Sequence, residues 1–405
     1  VYPGDVAVVR LREVKKGFAH ADLVRVVVPS PFRRIVPCPV ANECGGCDWT
    51  ALRLDKQLES KQRILTESLR RIGKIDPATL PPIAIHPSPL NYRLRSRLHR
   101  DGDCIGFYAM RTNEVVQLPT ECEVVGVETA RVLGISPKRS ESSESKAPSS
   151  AFGTLRLAAL AQGRLFSPAK SAGEKDSRLK SVLSSARDQQ DRFPSDDTWW
   201  EIADKLVTKG ALTIDGYHVT TDVFFQVNRH LLGTMRDLVT KLAMRVPGVG
   251  SPANHSDPRP PTPRSPTTAI DLYSGVGFFS RPLAEIFGSV TAVEGSEAAH
   301  ECAKRNVPEN VTLVNAPVEW WVERMPRADF VFLDPPRSGA VRNVIDAIAT
   351  RTNTMVCFLA CDPVTFARDA SRLIASGWRL ASLDLLDLFP NTHHVETLAS
   401  FERAR

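Results

Sequence analysis

From residue 268 to the C-terminus, short apolar runs recur at the spacing of a strand followed by a helix. The runs are Ala269-Ile270-Asp271-Leu272, Val290-Thr291-Ala292-Val293, Val311-Thr312-Leu313-Val314, Phe330-Val331-Phe332-Leu333 and Met355-Val356-Cys357-Phe358-Leu359. Each has the length of a buried strand rather than of a helix, and the stretch after each carries helical periodicity. Strands that alternate with helices are joined by crossovers and lie parallel, so the pattern predicts an α/β domain, doubly wound, with a parallel-rich sheet. Ligands in such sheets bind beyond the carboxyl ends of the strands. The loops after these five runs are therefore where chemistry is to be sought.

The rest of the chain has a different texture. At 405 residues it is long enough for two or three domains. Asp5 to Val28 alternates apolar and polar residues around Lys15-Lys16-Gly17, the pattern of a small β module. Trp49 to Ile72 places Leu54, Leu58, Ile64, Leu65 and Leu69 at helical spacing, with Gly73 closing the helix. Short alternating runs return from Asn91 to Val125 and predict antiparallel sheet; they include the basic stretch Arg93 to Arg100, a candidate phosphate contact or else a solvated strand face. Two polar stretches, 136–197 and 247–268, read as an insertion and a proline-dense loop. No run reaches the roughly 18 apolar residues of a membrane span. The opening residues Val1-Tyr2-Pro3-Gly4-Asp5 lack the charged-then-apolar pattern of an export signal, so a cytoplasmic protein is expected. A net charge of +6 suits a polyanionic partner without identifying one.

Four of the strand-end loops carry unusual residues. The first, Asp271-Leu272-Tyr273-Ser274-Gly275-Val276-Gly277, is a Gly-x-Gly turn at which backbone can approach a nucleotide-like ligand. The second run ends at Glu294, where an acid can bind both hydroxyls of a ribose. Without a Gly-x-Gly-x-x-Gly or a Walker lysine, the pair favours S-adenosylmethionine, which has no phosphate to cradle. The fourth run ends in Asp334-Pro335-Pro336-Arg337, a stiff loop that fixes a carboxylate at the cleft.

The fifth run leads into Ala360-Cys361-Asp362-Pro363, a thiol just ahead of a helix, where a helix N-terminus is expected to favour thiolate. Near the end, Phe389-Pro390-Asn391-Thr392-His393-His394-Val395-Glu396 joins a turn to a strand that starts with an acid. A thiolate, a carboxylate and a sulfonium cofactor on one sheet edge suit methylation at C5 of a pyrimidine. The thiolate adds at C6 to make C5 nucleophilic, and the carboxylate later removes the C5 proton. An N-methyltransferase would use Asp334-Pro335-Pro336 without needing Cys361. A binding or sensing protein whose methyltransferase domain is inactive is the rival from another class.

Eight cysteines without an export signal are more often metal ligands than disulfides. Cys38, Cys44 and Cys47, with Gly45-Gly46 inside and Cys122 far along the chain, offer four sulfurs to one metal centre. Zinc and a four-iron cluster fit equally by spacing. Cys104 and Cys302 are expected to be structural.

Together these residues resemble the uracil-C5 RNA methyltransferase family over nearly the whole chain, outside the two polar stretches. The likeness rests on the cysteine pattern, Phe224-Phe225-Gln226-Val227-Asn228, the Asp271 to Gly277 loop, Asp334 to Arg337, Cys361-Asp362-Pro363 and His394-Val395-Glu396. The resemblance implies that Gln226, Tyr273, Gly275, Gly277, Glu294 and Asp334 line the pocket for S-adenosylmethionine and target, with Cys361 as nucleophile, Glu396 as base and Asp334 counted with them among the catalytic residues. It also implies a [4Fe-4S] cluster on the four cysteines. The substrate would be RNA, ribosomal RNA first and transfer RNA second, and the protein a monomer. The first 35 residues resemble the latter part of a TRAM module, an OB-type β-barrel. The implied division is 1–35 for that module, 36–220 for an iron–sulfur and RNA-binding domain, and 221–405 for the catalytic domain. Phe278, Pro317 and Asp362 depart from the family pattern: Phe278 follows the Gly-x-Gly where relatives often carry a polar residue, Pro317 falls near a position that commonly contacts the adenine, and Asp362 stands where Asn is frequent.

Overall fold

The computed structural model describes residues 1–16, 18–127, 129, 154–155, 198–202, 205–207, 210–249 and 267–403. The stretches expected at 136–197 and 247–268 lie largely outside these. Near the N-terminus β1 (Val6–Lys15) and β2 (Phe18–Val28) form an antiparallel hairpin with three register shifts. Helix α1 (Leu54–Arg71) follows, burying Leu65 and Leu69, with Asp55 in its first turn and Arg70 and Arg71 in its last, a charge order that complements the helix dipole. Gly73 follows its end, and a Cβ there would come within 2.8 Å of the Ala367 carbonyl oxygen, so glycine permits close docking on the catalytic half.

After the short β3 (Ile83–His86), strands β4 (Arg95–Asp101), β5 (Cys104–Tyr108) and β6 (Val115–Gln117) form the antiparallel sheet that the alternation predicts. β7 (Thr154–Leu155) pairs with β2, whereas β8 (Thr198–Ile202) and β9 (Lys205–Val207) extend the sheet beyond β4. β10 (Ala211–Ile214) and β11 (Tyr217–Thr220) form a hairpin closed by Asp215-Gly216, both at positive φ as a primed two-residue turn requires. Helix α2 (Leu232–Ala243) leads into the catalytic half.

There the chain alternates β12 (Thr268–Leu272), α3 (Ser280–Ala284), β13 (Ser289–Glu294), α4 (Glu297–Asn306), β14 (Val311–Asn315), α5 (Val318–Trp321), β15 (Ala328–Leu333), α6 (Arg342–Arg351), β16 (Thr352–Ala360) and α7 (Pro363–Ala375). It ends in β17 (Trp378–Leu386) and β18 (Glu396–Arg403). All five predicted runs are neighbouring parallel strands in an eight-stranded sheet of order β14-β13-β12-β15-β16-β18-β17-β3. β18 runs antiparallel between β16 and β17, and β3 from the N-terminal half completes the edge. Alternate residues of each strand feed opposite faces, so Phe330 and Phe332 join one apolar cluster while Val331 and Leu333 join the other. Phe332 is fully buried, and its replacement by Ala would cost about 3–5 kcal/mol. Strand order reverses between β12 and β15, and the crevice of a doubly wound sheet opens at such a switch point. The Tyr273 to Gly277 loop and the Asp334 to Arg337 loop leave β12 and β15 at that crevice. Among the described residues no helix is long and apolar enough to cross a membrane.

Candidate active site

Register brings the thiol and the terminal acid together. β16 and β18 stay paired up to Ala360 opposite Thr397, and one step further along each strand stand Cys361 and Glu396. Cys361 is half-buried and Glu396 is buried at 5% exposure. Asp362 fixes the backbone after the thiol: its Oδ1 accepts from the Val364 and Thr365 N–H groups at 3.0 and 2.8 Å, with Pro363 opening α7. Asp at this position is thus the helix cap, a task Asn performs equally well.

The expectation of a thiolate is corrected by the structure. Burial, then Glu396, then Asp334 push the Cys361 thiol up to about 12, and Arg337 opposes them only in part. The first N–H groups of α7 are already committed to Asp362, and two acidic neighbours outweigh what remains of the helix end. Glu396 is itself driven well above the carboxylate range by burial and then by Asp334. Burial, with Asp271 adding to it, raises Asp334 to about 7. Arg337, not singled out in the sequence, is the cation that faces both Cys361 and Glu396. Its Nη2 also donates to His394 Nε2 at 3.3 Å, and burial followed by this guanidinium holds His394 down to about 4, hence neutral.

The glycine turn lies across the crevice from these acids. Tyr273, Gly275 and Gly277 all have positive φ. Gly277 is required twice over, since a Cβ there would meet Val307 Cγ1 at 2.5 Å. Glu294, at the tip of β13, accepts from the Gly275 N–H at 2.8 Å and the Ser296 N–H at 2.7 Å, so this acid holds the turn in shape. The Asp334 N–H bonds the Leu272 carbonyl at 3.3 Å, tying the proline loop to the same turn. Gln226 is buried and its Nε2 donates to Asp334 Oδ2 at 3.4 Å. Tyr273 turns its hydroxyl to Glu319 at 2.9 Å and packs on the second apolar cluster. Beneath the turn Asp271 accepts from Ser280 Oγ at 2.5 Å, and burial raises it to about 7; its Oδ1 and Ser274 Oγ are buried with no protein partner.

Phe278 does not face the crevice: it lies in the core against Tyr217 and Phe225, with its carbonyl accepting from the Tyr217 hydroxyl at 3.0 Å. Pro317 is exposed at the start of α5, and its Cα would lie 3.7 Å from a Cβ on Gly295, beside the Glu294 tip. The basic stretch is mostly internal. Arg95 is buried and donates to the Val223 and Thr221 carbonyls, and Arg93 lies over the Phe107 ring at 5.3 Å. Neither is placed to meet a phosphate, whereas Arg97 and Arg100 are exposed.

Cys38, Cys44, Cys47 and Cys122 border one cavity, walled by Phe107, Leu118 and Val124. Burial raises all four thiols, mutual proximity adds to this, and the Arg93 guanidinium opposes it at Cys44, Cys47 and Cys122. Gly46 donates its N–H to Cys44 Sγ at 3.4 Å, and a Cβ on Gly45 would meet the Tyr108 carbonyl oxygen at 2.9 Å. Among the described residues no three His, Cys, Asp or Glu side chains are drawn together around a single ion. Four sulfurs on apolar walls beside one cation are nonetheless a donor set for a thiolate-held group of net negative charge. Cys357 and Cys302 are buried and Cys104 is half-buried.

Residues 324–404 match the family model of the tRNA (uracil-5-)-methyltransferases. An uncharacterized RNA methyltransferase of Corynebacterium efficiens is 30% identical over 415 residues, 99% of this chain and 88% of the relative. A 23S rRNA (uracil(1939)-C(5))-methyltransferase of Aeromonas hydrophila is 29% identical over 99% of this chain and 90% of its own length. Among solved structures, the Pyrococcus abyssi tRNA (uracil-54, C5)-methyltransferase in complex with S-adenosyl-L-homocysteine shares the fold. Its TM-score is 0.59 at 20% identity, over 98% of this chain and 93% of that one. With this extent of likeness, the chain belongs to the RNA uracil-C5 methyltransferase family, whose enzymes depend on S-adenosylmethionine.

Proposed function

We propose that this enzyme methylates C5 of a uridine in 23S ribosomal RNA through a covalent bond between Cys361 and the pyrimidine ring. The observation that carries the reading is the placement of Cys361 and Glu396 one step beyond the last paired residues of neighbouring strands. Cys361 gives its proton to water and adds Sγ to C6, and the displaced electron pair makes C5 nucleophilic. When bound, S-adenosylmethionine supplies an electrophilic methyl on a positive sulfonium, a charge that also favours ionised Asp334 and Cys361. After C5 has taken the methyl it still holds its proton. Glu396, once it has shed its own proton to water, accepts that proton, the C5–C6 double bond re-forms, and Sγ departs. Arg337 steadies the ionised forms of both groups. The thiol and the methyl donor must reach the ring from opposite faces, so the uridine is expected to be extruded from its stack.

Glu294, Gly275, Gly277 and Tyr273 are assigned to the cofactor, and Gln226 with Asp334 to the boundary between cofactor and base. The Aeromonas relative supports ribosomal RNA as substrate, and a transfer RNA uridine is the alternative that the Pyrococcus enzyme's activity keeps open. Cys38, Cys44, Cys47 and Cys122 are assigned to a [4Fe-4S] cluster, supported by the shared cavity and by Arg93 beside it. The division 1–35, 36–220 and 221–405 is kept, although α1 and β3 pack on the catalytic half.

Trapping tests the mechanism. A 5-fluorouridine transcript of 23S RNA cannot release its C5 substituent, so it should leave a denaturant-resistant protein–RNA adduct that Cys361→Ala abolishes. Retained methylation by Cys361→Ala would instead point to nitrogen chemistry. Methyluridine mapping in ribosomal and transfer RNA, with and without the gene, identifies the target. Iron and sulfide analysis of anaerobically purified protein distinguishes a four-iron cluster from zinc.

A further inference from the structure

The nine residues between β17 and β18 lead directly to Glu396, and they are gripped by the other half of the molecule. Asn391, at the centre, is fully buried and has a φ of 65°. Every polar group it owns is engaged by residues from the first third of the chain. Its N–H donates to Gln57 Oε1 at 2.8 Å, and its Oδ1 accepts from Gln57 Nε2 at 3.0 Å and Arg34 Nη2 at 3.1 Å. Its Nδ2 donates to Glu123 Oε2 at 3.0 Å, and its carbonyl accepts from the N–H groups of Asp48 and Trp49 at 3.1 and 2.8 Å. Arg34 closes the network with a two-pronged contact to Glu123.

Two of these partners directly follow cysteines of the quartet, Asp48 after Cys47 and Glu123 after Cys122. Asp48 takes a second hold on the same segment through the backbone N–H of His393 at 3.0 Å. A left-handed backbone is one that Asn tolerates better than other side chains with a Cβ, so both the bend and the contacts suit this residue. From this bend only Thr392 to Val395 separate the network from Glu396, which must reach a proton on the far side of the ring from the methyl donor.

Building on the covalent reading above, we infer that Asn391 is a positioning residue for the final deprotonation. It sets the Glu396 end of β18 against the loops that carry Cys47 and Cys122, so the base stands in place when those loops are folded. Cys361 sits in the short turn between β16 and α7, whose hydrogen bonds do not involve this network. Losing the grip therefore slows proton removal while leaving addition and methyl transfer largely intact.

Asn391→Gly keeps the backbone conformation accessible while removing the side-chain contacts; Gln57→Ala loosens the same network from α1 should the first variant fold poorly. With S-adenosylmethionine and a mixture of unmodified 23S and transfer RNA transcripts, either variant should lose at least tenfold in kcat with KM changed less than threefold. Each should also accumulate the denaturant-resistant RNA adduct, as is expected of Glu396→Gln. On 5-fluorouridine transcripts, where the base has no proton to remove, wild type and variants should trap at rates within about twofold. Amide hydrogen exchange should rise across 387–396 and not in β12 to β16. Wild-type turnover in both variants overturns the inference, as does loss of fluorouridine trapping in proportion to turnover, which would mark a purely structural role. If wild type itself traps no adduct, the covalent reading fails, and this inference with it.

Discussion

The Asp334 carboxylate accepts a hydrogen bond from the buried Gln226 amide at 3.4 Å, at the mouth of the strand-order reversal. Burial raises this acid to about 7, and Asp271 behind it is raised to about 7 as well. A cation placed beside Asp334 favours its ionised form, so binding of the sulfonium cofactor should release a proton near neutral pH. Affinity for S-adenosylmethionine is predicted to rise by up to about tenfold per pH unit below pH 7 and to level off above it. Asp334→Asn should flatten the profile. Titration calorimetry in buffers of different ionisation enthalpy reads the released proton directly. The stability of the unliganded protein should run the other way. Folded carboxyls with raised values bind more protons than unfolded ones between about pH 4 and 7, so stability falls as pH rises through that window.

Cys361 should be a sluggish thiol in the free enzyme. With its thiol at about 12, only a minute fraction is thiolate at pH 7.5, and alkylation should be at least tenfold slower than that of a small free thiol near 8.5. Adding S-adenosylmethionine should speed it, because positive charge offsets the two acids. Peptide mapping of iodoacetamide labelling checks this, and rapid labelling of Cys361 in the free enzyme would show that the acids do not control it. Cys361→Ala should lower turnover by roughly 10³-fold or more.

Much of the catalytic sheet was legible because burial on both faces leaves an unbroken apolar run in each strand, as in Phe330 to Leu333. The meeting of Cys361 with Glu396 was harder to see. It depends on β18 inserting antiparallel beside β16, which no local pattern announces. The ionisation of Cys361 was misjudged for the same reason, since its acidic neighbours arrive from two other segments. Arg93 and Arg95 looked like surface charge because their stretch is basic. The space that takes them is made by Phe107 and by the Thr221 and Val223 carbonyls, from elsewhere in the sequence. The network around Asn391 left no trace, as its partners lie more than 250 residues away.

Asp362, by contrast, is a local device with a local test. Its carboxylate satisfies two otherwise unpaired N–H groups at the start of α7. Asp362→Ala should cost about 0.5–2 kcal/mol in denaturant unfolding, and Asp362→Asn should recover most of it. If the cap also fixes the thiol, Asp362→Ala should slow adduct formation on 5-fluorouridine RNA more than it changes binding of S-adenosylmethionine. Equal losses in both would assign the cap to stability alone.

Lys61 and Asp387 tie α1 to the end of β17, with Nζ at 2.6 Å from Oδ1 and 2.9 Å from the Phe389 carbonyl. Burial lowers the lysine's affinity for its proton, and Asp387 restores part of it. Both side chains are almost entirely shielded from water, so removing one leaves the other charge stranded. Lys61→Met alone is predicted to destabilise by about 3–5 kcal/mol. Removing both charges should hurt less, because two apolar side chains of similar volume need no solvation, and the double variant Lys61→Met with Asp387→Leu should recover more than half of the loss. The Phe389 carbonyl would still lack its donor, so recovery should stay incomplete. A double-mutant cycle by chemical denaturation measures the coupling, and additive losses would mean that the two charges are stabilised separately rather than by each other.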